Sequence, residues 1–353
     1  MNFEALIRPH LLALKPYSSA RDEYSGTEGI FLDANENPFE SVTGESHNRY
    51  PDPYQWEIKK KLAGIKNVQP ENIFLGNGSD EPIDLIIKAT CEPKENNILI
   101  LPPTYGMYKV CADIQQVEVI EVPLSADFQI DMDGVFDTVN TATKIIWVCS
   151  PNNPSGNLIE PGSILQLIKA FPEKLIVVDE AYIDFADTAS FIEKLEEFPN
   201  LVVLQTFSKA WGMAGLRLGV AYCNPFLIKI LNKIKYPYNL NILTQHKLLE
   251  ALGNEKVKNE FVKVIIKNRE ELESKLSGFS FVKNIVKSDS NMLLVKFEKA
   301  KELFESLLDK KIIIRDRTNV ILCEDSLRIT VGSQEENQKL LDEIVGFYSK
   351  KAS

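Results

Sequence analysis

Thr206-Phe-Ser-Lys-Ala-Trp-Gly-Met-Ala-Gly-Leu-Arg-Leu-Gly219 follows an apolar run at 201–204 and puts a lysine where a strand must turn through small residues toward Arg217. A lone lysine after a serine carries little information, because most lysines are solvated and titrate at about 10.4. The company of Lys209 changes its meaning. Ser150-Pro-Asn-Asn-Pro-Ser-Gly156 and Val177-Val-Asp-Glu-Ala-Tyr182 lie upstream, each at the end of an apolar run. Three polar clusters after three strand candidates form the pattern in which an open α/β sheet gathers a ligand at its carboxyl edge.

Outward from these clusters the chain has a βαβ rhythm. Strands are expected at 98–101, 117–122, 144–149, 175–179, 201–204 and 218–223, with helices at 104–113, 131–140, 161–170 and 225–235. The strand runs are almost continuously apolar, as a sheet covered on both faces requires. The fold class is therefore α/β, a large domain with a mostly parallel sheet sandwiched by helices. Helical periodicity over 244–276 reads as one long pillar. Beyond it, strand patterns at 291–297, 312–314 and 327–331 and helices at 300–309 and 334–348 indicate a smaller α+β domain. The expected division is an N-terminal arm over 1–30 packing with the small domain, a large domain over 31–255, and a small domain over 256–353.

The chain has 353 residues, enough for roughly two domains. Forty basic against fifty acidic residues leave a formal charge of -10, which argues against a broad nucleic-acid surface but not against a local anion pocket. The five cysteines, Cys91, Cys111, Cys149, Cys223 and Cys323, form no CxxC pair, and no signal-peptide pattern opens the chain. A reducing cytoplasm with buried structural thiols is expected. No apolar run approaches the roughly 20 residues of a membrane span. Three scattered histidines, His10, His47 and His246, offer little material for a zinc site or a serine triad.

Further islands punctuate the chain. Phe31-Leu-Asp-Ala-Asn-Glu-Asn-Pro-Phe39 and Arg49-Tyr-Pro-Asp-Pro-Tyr54 break helix and strand alike. In Ile73-Phe-Leu-Gly-Asn-Gly-Ser-Asp-Glu81, the glycines permit a sharp turn and Ser79 opens a helix whose free N–H groups could seat an anion. A well-capped helix without a ligand explains the same letters. Tyr105, after Pro102-Pro-Thr104, suits either a core position or stacking on an aromatic ligand. Arg315 and Arg328 stand in or beside apolar runs, where the charge needs an anion. An internal carboxylate and a substrate carboxylate or phosphate both meet that need.

Taken in order, NENPF, YPDP, GNGSDE, SPNNPSG, VVDEAY and TFSKAWGMAGLRLG make the chain resemble the fold-type I, pyridoxal-phosphate-dependent aminotransferases of class I/II, and among them the histidinol-phosphate group. The resemblance spans nearly the whole chain. It implies pyridoxal 5'-phosphate as cofactor, a seven-stranded type of large sheet and no metal. Lys209 would anchor the cofactor and move a proton, Asp179 would face the ring nitrogen, and Tyr182 and Asn153 the 3′-oxygen. Ser79, Asp80, Ser208 and Arg217 would grip the phosphate, with Thr206 assisting or supporting them, Glu81 also among the cofactor-binding residues, Tyr105 over the ring and Tyr50 reaching the phosphate from a second subunit of a homodimer. Glu180, one residue beyond Asp179, should face the other way and serve structure. An Asn153–Pro154 cis bond is expected.

On the substrate side, Arg328 would take an α-carboxylate, while Tyr17, Asn153 and Arg315 line the remainder. The resemblance points to ping-pong exchange between histidinol phosphate/imidazole-acetol phosphate and 2-oxoglutarate/L-glutamate, with no nucleic-acid or membrane partner. Three alternatives stand beside it: an aromatic-amino-acid aminotransferase, a threonine-phosphate decarboxylase, and a non-catalytic regulatory protein that binds the same cofactor. A nucleotide-binding α/β enzyme is disfavoured, because no GxGxxG or GxxxxGK occurs.

Overall fold

A computed structural model describes residues 2–17 and 29–351. Seven strands share one sheet: β1 (Ile73–Asn77), β2 (Asn97–Ile100), β3 (Glu118–Glu121), β4 (Thr143–Cys149), β5 (Leu175–Asp179), β6 (Leu201–Thr206) and β7 (Leu218–Tyr222). Their spatial order is β1-β7-β6-β5-β4-β2-β3. All neighbours are parallel except β7, which runs antiparallel to both β6 and β1.

The apolar runs have a direct physical origin. Ile145, Trp147, Leu175 and Val177 enter one core, while Ile146, Val148, Ile176 and Val178 enter a second core on the opposite face. Each such side chain removed from water contributes about 1.5–3 kcal/mol, so both faces of the sheet must be covered. The expected helices are present as Met107–Ile114, Met132–Thr138, Pro161–Ala170 and Pro225–Ile234.

A second, four-stranded antiparallel sheet contains β8 (Val282–Ile285), β9 (Met292–Phe297), β10 (Arg315–Asp316) and β11 (Ser326–Thr330), in the order β10-β11-β9-β8. Helices Ala300–Asp309 and Gln334–Lys351 accompany it, and its core joins Leu293, Val295, Leu327 and Ile329 to Leu303 and Ile344.

Three expectations change. The single pillar over 244–276 is two helices, Ile242–Ala251 and Glu255–Ser277. The break falls at Gly253 and Asn254, residues that favour turns. The apolar run at 312–314 is not a strand; the ladder starts at Arg315, whose Cα partner is Arg328. Finally, the described part of the arm packs on the large sheet's helices, not with the second sheet. Leu6, Ile7 and Leu11 are buried in the same core as Ile86 and Leu227, Arg8 pairs with Glu92 at 2.6 Å, and Lys233 Nζ donates to the carbonyls of Leu11 and Leu12. Residues 18–28 of that arm lie outside the described set.

Candidate active site

The carboxyl ends of β4, β5 and β6 open into one cleft lined by Ser79, Asp80, Tyr105, Cys149, Asn153, Asp179, Ala181, Tyr182, Thr206, Ser208, Lys209 and Arg217. Ten of the residues singled out from sequence therefore converge, although they are spread over some 140 positions of the chain.

Asp179 ends β5 and is 3% exposed. Its Oδ1 accepts from the Ala181 N–H at 3.1 Å and its Oδ2 from the Tyr108 hydroxyl at 2.5 Å. Burial pushes its pKa up to about 6 against those two stabilising bonds. The next residue, Glu180, is also buried but faces away, accepting from Ser190, the Phe191 N–H and Gln205. The alternation of the strand thus separates a carboxylate in the cleft from one that ties loops together.

Lys209 follows β6 in a tight turn, where its carbonyl accepts from the Gly212 N–H at 3.0 Å. Its ammonium lies 5.6 Å from the Tyr182 ring centre. The residue stays open to solvent at the cleft mouth, yet the atoms packed round its amine push the pKa below the usual lysine range, with the Arg328 charge as the next cause. Tyr182 is buried, and burial drives its own pKa upward.

At another wall, the turn after β1 leads into helix Asp80–Thr90. Ser79 makes no side-chain capping bond there, so the first-turn N–H groups and the positive dipole end are available to an anion. Arg217 Nη2 meets Asp80 Oδ2 at 3.2 Å, and the Tyr105 hydroxyl donates to Asp80 Oδ1 at 2.9 Å. Two glycines make this approach possible. Gly78 has φ +76°, and a Cβ there would lie 2.4 Å from Arg217 Nη2; a Cβ on Gly219 would lie 2.2 Å from the Ser79 nitrogen. The Thr206 hydroxyl donates to the Leu218 carbonyl and accepts from the Ser208 N–H, so its bonds hold the wall together.

A relay crosses from the second sheet. Arg328 Nη1, on β11, donates to Asn153 Oδ1 at 2.5 Å, and Asn153 Nδ2 donates to the Tyr182 hydroxyl at 3.3 Å. Burial, and the like charges of Arg317 and Arg315, lower the Arg328 pKa, an effect that Tyr182 opposes. The Asn153–Pro154 bond is cis, as are Pro102–Pro103 and Ser150–Pro151.

Four residues singled out from sequence stand apart from the cleft. Glu81 turns its carboxylate to the Asn77 N–H and to Asn239. Tyr50 is half exposed and stacks on Tyr238 with ring centres 4.5 Å apart. Tyr17 is 74% exposed, and Arg315 is exposed beside Arg328 on β10. Conversely, Cys149, Ala181 and Tyr108 belong to the site but were not singled out. Cys149 adjoins one motif and Ala181 lies within another; for Tyr108 the only signal is its place three residues after Tyr105.

The donor set fits a phosphorylated pyridine aldehyde: an anion seat of helix N–H groups, serine and arginine, a buried carboxylate, and an amine with depressed basicity, all on one cleft. Among the described residues no group of His, Cys, Asp and Glu could hold a metal, and no helix is long and apolar enough to cross a membrane.

Residues 27–344 match the family model for aminotransferases of class I and II. The chain is 52% identical over 341 residues to a histidinol-phosphate aminotransferase of Cytophaga hutchinsonii, covering 97% of this chain and 98% of that protein. Among solved structures, a histidinol-phosphate aminotransferase of Clostridium acetobutylicum superposes with a TM-score of 0.80 at 25% identity, covering 86% of this chain and 92% of that one. A third, the Sinorhizobium meliloti histidinol-phosphate aminotransferase in complex with pyridoxal-5'-phosphate, shares the fold with a TM-score of 0.78 at 23% identity, covering 85% and 83%.

Proposed function

The chain belongs to the class I and II aminotransferases, and we propose that within this family it moves an amino group between the histidinol phosphate/imidazole-acetol phosphate pair and the L-glutamate/2-oxoglutarate pair, a step of histidine biosynthesis. The observation that carries the substrate choice is the 52% identity, over almost the full length of both chains, to a histidinol-phosphate aminotransferase.

Enzymes of this family depend on pyridoxal 5'-phosphate, which supplies an aldehyde to carry the amino group and a protonated ring to take up the electron pair of the substrate's Cα–H bond. Lys209 is the residue that would hold the aldehyde. Its lowered pKa leaves more neutral amine available as nucleophile, and the same nitrogen would accept the Cα proton and deliver it to the cofactor side. Asp179 would keep the ring nitrogen protonated. At about 4 Å and an effective dielectric of about 20 such a pair is worth roughly 4 kcal/mol, about three pKa units. The Tyr182 hydroxyl and Asn153 amide would bind the 3′-oxygen, while Tyr105 covers a ring face.

The N–H groups of Ser79 and Asp80, the Ser208 hydroxyl and Arg217 would grip the phosphate. Thr206 and Glu81 act as supports in this reading, through the bonds described above. Arg328 is read as the α-carboxylate anchor for glutamate, with Asn153, Arg315 and Tyr17 along the remainder of the substrate site. Histidinol phosphate carries no carboxylate, so its phosphate would share these arginines.

The active unit is read as a homodimer in which Tyr50 serves the second subunit's site, and its residence as cytoplasmic. Residues 31–255 are read as the large cofactor-binding domain and 256–353 as the small one. The test is a donor panel of histidinol phosphate, phenylalanine and threonine phosphate with 2-oxoglutarate. Histidinol phosphate should give the highest kcat/KM; an inert histidinol phosphate removes this substrate.

A further inference from the structure

Behind Asp179 lies a side chain that the mechanism above leaves unused. Tyr108 is fully buried on helix Met107–Ile114 and donates its hydroxyl to Asp179 Oδ2 at 2.5 Å. Its ring is fixed by two contacts: Trp147 stacks on it, ring centres 4.6 Å apart and planes at 15°, and Tyr105 meets it edge-on at 5.6 Å. Trp147 is in turn fully buried on β4. A phenol held this way loses little freedom on making its bond, so the bond constrains the carboxylate and not the reverse.

We propose that Tyr108 is the positioning residue of this enzyme's ring-nitrogen carboxylate, fixing the rotation of Asp179 and keeping it ionised. The proposal rests on the reading of Asp179 given above.

The groups around Asp179 show why one bond matters. Asp80 opposes its ionisation; Lys209 favours it; the Cys149 thiol and the Tyr182 and Tyr105 phenols, all pushed up by burial, stay protonated and supply no charge. Against the desolvation of a buried carboxylate, the Tyr108 hydroxyl is the largest stabilising contribution, ahead of the Ala181 N–H. Burial also holds the Tyr108 phenol well above the usual tyrosine range, so it remains a donor at every working pH.

The test uses Tyr108→Phe and, in a second protein, 3-fluorotyrosine placed at 108, which keeps the packing but makes the phenol a stronger donor. In the cofactor-free protein, Asp179 is titrated by carbon NMR of labelled aspartate, assigned with Asp179→Asn. A hydrogen bond to a charged group is expected to be worth about one pH unit or more. Tyr108→Phe should therefore raise the Asp179 pKa by about that much, and fluorotyrosine should lower it. In the cofactor-loaded protein the pH profile of the bound cofactor's absorbance should move in both variants, and Tyr108→Phe should lower kcat about tenfold or more with the glutamate KM little changed. If Tyr108→Phe does not fold, the fluorotyrosine arm alone decides. An Asp179 titration unmoved in both variants overturns the proposal. A shift confined to the cofactor-free protein also overturns it, and places the error in assigning Asp179 to the ring nitrogen.

Discussion

The floor and the rim of the cleft are built on opposite principles. On the floor, Asp179 and Cys149 end their strands, Trp147 lies on β4 and Tyr108 on the helix beside it, and all four are buried, with Tyr108 bonded to Asp179 and stacked on Trp147. On the rim, Tyr17, Tyr50 and Arg315 are exposed, and Arg328 arrives from a different sheet through Asn153. The floor is thus fixed in advance, as chemistry on a developing charge demands. The rim is assembled from separate pieces, which suits a site that must accept both a phosphate and a carboxylate.

If the chemistry is done where the Lys209 amine overlooks Asp179 on the floor, loss of that amine should cost more than damage at the rim. Lys209→Ala is expected to lower kcat by at least about a thousandfold, measured in single turnovers with glutamate, because nucleophile and base are lost together. Arg328→Ala should instead raise the KM for glutamate and 2-oxoglutarate, by about a hundredfold, with a smaller change in kcat. Comparable kcat losses in the two variants would erase the distinction. The wall between them can be tested with Gly219→Ala. Its Cβ would meet the backbone of Ser79 at 2.2 Å, so a loss of about 1–3 kcal/mol in denaturant titrations and weaker cofactor binding are expected.

The floor should also carry a stability cost. The Asp179 pKa is raised to about 6 from the ordinary aspartate value, so the folded cofactor-free protein binds a proton that the unfolded chain releases. The stability this proton contributes is present below about pH 4 and lost as the pH rises through about 6, up to roughly 3 kcal/mol in all. Asp179→Asn should therefore melt higher than the parent at pH 7.5 in the cofactor-free state and lose that advantage near pH 4. An equal difference at both pH values would mean that the carboxylate charge is not what strains the floor.

The same contrast governs what could be read from the letters. Strands buried on both faces announce themselves as apolar runs, so β5 and helix Pro161–Ala170 were placed to the residue, and polar clusters at strand ends marked Asp179, Asn153 and Lys209. The edges of the second sheet carry no such signal. β8 buries few of its side chains, and β10 is only two residues long, so neither could be placed from the apolar pattern. The break at 252–254 was masked because apolar periodicity continues through it, although Gly253 and Asn254 were visible. Tyr108 is not legible because a core tyrosine and a tyrosine bonded to a carboxylate look alike until the 71-residue separation between it and Asp179 is folded away. The docking of the arm is not legible either, because Leu6, Ile7 and Leu11 show that they need a core without showing which one.

The most direct measurement is borohydride reduction of the protein loaded with pyridoxal 5'-phosphate, followed by digestion and mass mapping of the pyridoxyl label. One label per chain on Lys209 is the expected result. A label on another lysine, or none at saturating cofactor, would contradict the assignment of this cleft.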